Sequence, residues 1–273
     1  MLYAAAFGIL AGAMIVFPSQ AADAALRGLT LWARAVAPVL GPFMACMLMI
    51  TSRLGGGAGL NTALGWLCGS PGGARLMQPL RLSGPAALRA AAMTGTMSPM
   101  FFLGTVSAWL QSAEKGRLIL ICHLLGAFLL GLAIPKGKEA PQSPAPSPMP
   151  LGAAMKESAL ALLTVGLCMM LGCAAAKMAE CAFPRIPPAA FAALQCALEV
   201  TAGAQALISL QSDYTVPLLC AACSFGGLSI LLQNAAFWQE SGVTPGQLFF
   251  LRLAHGALAF LLCLFAQRLL PFS

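Results

Sequence analysis

The chain has 273 residues, 59% of them hydrophobic and only 8% charged, with a mean hydropathy of +0.85. A soluble domain carries about 25% charged residues, so this composition excludes a soluble globular protein and points to a polytopic membrane protein in a lipid bilayer. The net charge of +7 rests on Lys and Arg residues that mostly border apolar runs, as anchors and cytoplasmic loops do, and no basic run with interleaved aromatics suggests nucleic acid.

Leu2 to Val16 reads as a first helix stopped at Phe17-Pro18, an uncleaved membrane helix because no basic segment precedes it. Ala21 to Trp32 is moderately amphipathic, with Asp23 and Arg27 four residues apart, and is expected to lie at the interface. Ala35 to Ser52 is uncharged and should span with a kink at Pro38 and Pro42. Leu54 to Ala74 is uncharged but rich in glycine. It opens with Gly55-Gly56-Gly57 and ends in the run Gly69-Ser-Pro-Gly-Gly-Ala-Arg75. A continuous lipid-facing helix tolerates that much glycine poorly, so a broken or re-entrant segment is expected.

Ala90 to Ala113 carries no charge and is long enough to cross a bilayer, yet its middle is Thr94-Gly95-Thr96-Met97-Ser98-Pro99. Proline removes a backbone donor and frees a carbonyl, which in hydrocarbon needs a partner inside the protein. Leu118 to Pro135 is an uninterrupted span containing His123. Residues 136–150 hold five prolines and read as an extended linker. Beyond it, Ser158 to Ala176 is a span, and Ala189 to Leu210 reads as an apolar helix carrying Glu199. A second interrupted span lies between Asp213 and Glu240, and Leu248 to Leu270 closes the chain with Arg252, His255 and Arg268. The ten cysteines sit mostly in apolar runs, where buried thiols act as small apolar residues. Cys220-Ala-Ala-Cys223 has neither a redox nor a zinc context. No metal site, cofactor site or catalytic constellation emerges, so no enzyme is expected.

Shifting the chain by about 130 residues overlays its halves. Gly69 to Leu76 falls on Glu199 to Ala206, Met93 to Trp109 falls on Ala222 to Trp238, and His123 falls on His255. The fold expected is an all-α membrane helix bundle of two internal repeats with broken or re-entrant helices. The repeats are inverted if the Gly-rich segment and its partner re-enter, which is the favoured reading, and parallel if they cross. Two interrupted spans in corresponding positions point to a transporter site.

The same residues carry a family resemblance. The chain resembles sporulation integral membrane proteins of the YlbJ type, in the group with the nucleoside-recognition Gate domain. Phe17-Pro18 precedes an Ala-rich segment and the run Pro38 to Phe43. Gly69 to Arg75 is similar to that family's S-G-Y-P-x-G-A-[KR] motif, and Thr94 to Phe101 to its T-N-x-S-N-P-x-F motif. Leu198 to Gly203 and Phe225 to Gln233 are similar to its L-E-x-T-x-G and F-G-G-L-S-x-x-x-Q motifs. Cys68 stands for the family's Ser, Ser70 for Tyr, and Gly95, Met97 and Ser98 for Asn, Ser and Asn. The resemblance implies spore maturation, movement of dipicolinic acid across a membrane, and a place in the mother-cell-derived membrane around the forespore. It divides the chain into residues 1–134, a first helix plus a first Gate-like repeat, a linker at 135–153, and a second Gate-like repeat at 154–273.

Candidate substrate-binding residues cluster at the breaks. The Gly-rich segment offers Ser70, Gly72, Gly73 and Arg75, and the first interrupted span offers Thr94, Thr96 and Ser98. The second half offers Glu199, Thr201, Ser224, Gly226, Gly227, Ser229, Gln233 and Asn234. The Arg75 guanidinium suits a dicarboxylate, or is an interfacial anchor. The glycines expose N–H groups at broken helix ends where the dipole favours anions, or allow close packing. Glu199 exchanges a proton, pairs with Arg75, or is a structural hydrogen-bonder. His123 and His255 read as bonded packing residues. Cys68 and Cys223, beside the breaks, are expected to face water. The function expected is transport of a small organic anion. The alternatives are a nucleoside-type transporter and a membrane scaffold protein with no transport of its own.

Overall fold

Apolar length dictates the first level of the architecture. In the computed structural model, which describes residues 2–54, 57–137 and 149–269, five helical runs are long and apolar enough to cross a membrane: Pro18–Ile50, Ala113–Ala133, Leu151–Ala182, Thr215–Ser241 and Pro245–Leu269. There is no strand among the described residues. Most of the expected linker, and Gly55-Gly56, lie outside them.

Helix α1 (Leu2–Val16) ends at Phe17, and Pro18 opens α2 (Pro18–Leu31), where its missing N–H costs nothing. The amphipathic segment expected at the interface is one end of a longer helical run. It continues through a π-helical turn (Trp32–Val36) into α3 (Ala37–Leu54), so α2 and α3 form one long run. The π turn stands just before Pro38, and Pro42 is accommodated inside α3. Asp23 and Arg27 give α2 its polar face, and they line a cleft against helix α9 (Leu151–Ala182). The two helices touch at Gly28, where an added Cβ would sit 2.9 Å from the Met169 carbonyl oxygen. One turn on, Trp32 Nε1 donates to the Leu162 carbonyl at 3.0 Å.

Four runs are broken, and each break has a local cause. Helices α4 (Ala58–Cys68) and α5 (Gly72–Met77) are separated by Gly69, whose φ of +69° only glycine adopts without strain. Helix α6 (Gly84–Thr94) stops at Gly95. After residues 95–98 the chain resumes through a π-helical stretch (Phe101–Val106) into α7 (Ser107–Trp109). The expected single helix over Ala189 to Leu210 is two helices, α10 (Pro188–Leu198) and α11 (Val200–Ser209). Glu199 between them is extended, because its side chain turns back to cap α11. Helices α12 (Thr215–Phe225) and α13 (Gly227–Trp238) part at Gly226 and Gly227, with φ of +83° and +73°. The uninterrupted helices α8 (Ala113–Ala133) and α14 (Pro245–Leu269) pack on each other and on α12. Their shared core holds Phe102, Ile119, Leu219, Cys220 and Cys263. Cys223 belongs to this core and does not face water.

The crossing at Gly28 generates a stability prediction. Gly28→Leu should lower the thermal midpoint of the detergent-solubilised protein by an amount equivalent to about 1–3 kcal/mol, because the side chain drives α2 off the α9 backbone. Gly12→Ala, where an added Cβ meets nothing within 4 Å, should leave it unchanged.

Candidate functional site

The breaks meet, and side chains from the second half supply the partners that the first half lacks. Ending α6 inside the protein frees its last carbonyls. The Arg252 guanidinium of α14 donates to the carbonyls of Ala91 at 2.9 Å, of Ala92 at 3.3 Å, and of Gly95. Trp66 Nε1 donates to the Met93 carbonyl at 2.8 Å. Arg252 is only 3% exposed and has no carboxylate partner among the described residues. Its counter-charge is the negative end of the α6 dipole.

The strand of chain after α6 is pinned through both histidines. The Met97 N–H donates to His123 Nε2 at 3.0 Å, so that nitrogen carries no proton. The proton is on Nδ1, which lies 2.8 Å from Ser224 Oγ on α12. His255 Nε2 donates to the His123 carbonyl at 2.8 Å. Both rings are fully buried and 4.8 Å apart. The connection between α4 and α5 docks against the same strand. Ser70 N donates to the Thr96 carbonyl at 2.6 Å, and Ser70 Oγ accepts from Asn234 Nδ2 at 3.1 Å.

Glu199 occupies the matching break of the second half. Its carboxylate accepts from the N–H groups of Thr201, at 3.1 Å on Oε1, and Ala202, at 2.6 Å on Oε2. Two of the orphan donors of α11 are thereby satisfied by a negative group at the positive end of a helix. The residue is 2% exposed, and α9 passes it at Gly172, where an added Cβ would lie 2.7 Å from the Glu199 Cβ.

These elements enclose a cavity of about 60 Å³. Its polar lining is Ser70 and Ser98 from the first half, with Glu199, Thr201, Ser229 and Gln233 from the second. Its apolar lining includes Val36, Leu40, Met97, Phe101, Val165 and Met169, and Cys68 also faces it. The lining contains no Lys, Arg or His. Ser229 Oγ is buried with no partner among the described residues, and so is Asn234 Oδ1 one step behind the wall.

Six of the predicted site residues therefore converge, and Asn234 supports one of them. The others are held elsewhere. Arg75 is in an ion pair with Glu157 at 2.6 Å, away from the cavity and from Glu199. Gly72 and Gly73 pack α5 against Cys68 and Thr94. Thr94 Oγ1 donates to its own helix at the Ala90 carbonyl, and the Thr96 hydroxyl is buried with no partner among the described residues. Ser224 holds His123, while Gly226 and Gly227 form the turn between α12 and α13. Sequence reasoning passed over Arg252. Its signal was a cation in mid-helix three residues before a histidine, in a run with no acid to pair with it.

Fold and site together define an integral, multi-pass, all-α membrane protein whose broken helices line a mainly apolar cavity carrying six polar side chains. No family model matches the sequence, and no solved structure matches it. The chain is similar to the sporulation integral membrane protein YlbJ of Bacillus subtilis (strain 168), at 28% identity over 158 residues that cover 49% of this chain and 39% of the relative. The match therefore spans under half the length of either protein, and YlbJ is a distant relative of this chain.

Arg252→Met should destabilise the protein by about 3 kcal/mol, read as a lower thermal midpoint in detergent, because three buried carbonyls lose a charged donor. Arg268→Met, at an exposed position in the last turn of α14, should leave the midpoint unchanged.

Proposed function

We propose that the protein is a membrane transporter or facilitator for a small organic anion, with the site in the cavity between its halves and Glu199 as the group that handles a proton. The observation that carries this reading is the composition of the cavity wall: four helix breaks bring six polar side chains from both halves around one enclosed space. Broken helices at a repeat interface are the usual construction of a transporter site. The order of elements supports two repeats. A helix pair, a helix, a break, a shorter helical segment and a long helix run from α4 to α8 and again from α10 to α14. The breaks at Gly69 and Glu199 occupy overlaid positions.

The wall also constrains the chemistry. Its one ionisable residue besides the Cys68 thiol is an acid, and no cation offsets it. Two uncompensated negative charges side by side in an enclosed site repel strongly, so an anionic ligand enters together with a proton on one of the two carboxyl groups. The Ser229 hydroxyl, buried with no partner among the described residues, then serves as a donor to the ligand. The relative's role in sporulation, and the motif resemblance described above, make dipicolinic acid the first ligand to test and the membrane around the forespore the first location. The lack of a basic side chain in the wall favours a second reading, a neutral polar ligand such as a nucleoside.

Uptake into proteoliposomes, screened over pyridine dicarboxylates and nucleosides, tests both. The anion reading predicts dicarboxylate uptake that rises as external pH falls. Glu199→Gln should retain the fold and lose that pH dependence, because the amide oxygen still accepts one of the two α11 N–H groups while the side chain holds no exchangeable charge. A pH profile in Glu199→Gln matching wild type would contradict proton coupling at this residue. Uptake of nucleosides alone would favour the second reading.

A further inference from the structure

A second, larger cavity lies on the far side of Glu199. It is a cleft of about 420 Å³ between α2, α9, α10 and α11, and its rim carries Gln20, Asp23, Arg27, Lys177, Glu180 and Gln195. Glu199 lines both this cleft and the central cavity, so its side chain stands between them. The two spaces differ in kind. The central one is small and its lining is mostly apolar, whereas the cleft is rimmed by charged and amide groups. The rim keeps its charges balanced. Lys177 pairs with Glu180 at 2.8 Å, and Asp23 and Arg27 follow each other by four residues on α2.

We propose that this cleft is an aqueous path by which protons from one face of the membrane reach and leave the Glu199 carboxylate, while the ligand occupies the cavity on the opposite side of that residue. The inference rests on the transport reading for the ligand, but its proton path is tested separately. The Glu199 oxygens accept the Thr201 and Ala202 N–H groups and the Thr201 hydroxyl, which still leaves a lone pair free, so a proton adds without removing the cap. The step is a transfer from cleft water to a carboxylate oxygen and its reverse. The groups facing Glu199 from the surrounding elements are the thiols of Cys173 on α9, Cys196 on α10 and Cys223 on α12, with the charged rim beyond them. The first break and α13 present only uncharged groups. Gly172 lets α9 pass close against Glu199, and Ala202 lines the cleft beside it.

The test uses the full chain reconstituted in lipid. Infrared difference spectra recorded on a step in bulk pH should contain a protonated-carboxyl band that Glu199→Gln lacks, and transfer to D2O should shift that band promptly. Gln195→Cys, in a background with the native cysteines replaced, allows the cleft to be blocked with a bulky membrane-impermeant thiol reagent. Blocking should slow the deuterium exchange of the band roughly tenfold, equivalent to a modest added barrier. The reagent should act from one face only. Counterflow of pyridine-2,6-dicarboxylate at equal pH should survive the block. Absence of a pH-responsive Glu199 band, unchanged exchange after blocking, or loss of counterflow with the block would each overturn the proposal. If unmodified protein shows no counterflow at all, the transport reading fails, and the exchange rate of the band still decides the proton path.

Discussion

A helix that stops within hydrocarbon leaves carbonyl and N–H groups that no water can satisfy, at a cost of several kcal/mol each. Among the described residues the helices stop four times in the apolar interior, and several buried polar contacts answer those stops. Arg252 closes the end of α6, Trp66 takes one more of its carbonyls, and Glu199 closes the start of α11. The charges are placed with the dipoles, a cation at a helix C-terminus and an acid at an N-terminus. That placement explains how a guanidinium sits 3% exposed without an acidic partner among the described residues.

The same economy ties the halves of the chain together. The strand at 95–98 belongs to the first half, yet its partners are Arg252 and, through His123, Ser224 and His255 of the second. Ser70 is likewise held by Asn234. In the cavity wall, Ser70 is held by a hydrogen bond that crosses between the halves, and Glu199 by the helix it caps. Glu199 is the member of the wall that both ends a helix and carries an ionisable group. A change in its charge alters the cap on α11 and the electrostatics of the cavity at once, and that double role gives the residue a lever on the conformation of α11.

The sequence made some of this legible and hid the rest for physical reasons. The breaks at 95–98 and at Gly226 announce themselves through glycine, hydroxyls and proline in runs too apolar to be loops. The break at Glu199 does not, because Leu198-Glu-Val200 contains no helix breaker and the interruption comes from the side chain capping its own successor. The polar face of α2 suggested a headgroup interface, since amphipathicity records a wet neighbour without saying whether it is lipid surface or internal cleft. Arg75 looked like a ligand-binding cation from its place beside Gly72 and Gly73, but Glu157, far away in the chain, claims it. Ser70, Ser98, Glu199, Thr201, Ser229 and Gln233 were found because polar residues in apolar runs have few roles. Arg252 and the two histidines serve that wall from outside it.

The central claim is that the broken segments of the two halves dock on each other within the membrane. The contact between Ser70 and Asn234, 3.1 Å between side chains separated by most of the chain, is its most specific statement. A Ser70→Cys, Asn234→Cys pair in a chain whose native cysteines are replaced should form a disulfide on mild oxidation in native membranes, detected by mass spectrometry of the joined peptides. Absence of that cross-link, with efficient linkage of Ser70→Cys to a lipid-facing position such as Leu253→Cys on α14, would contradict the account.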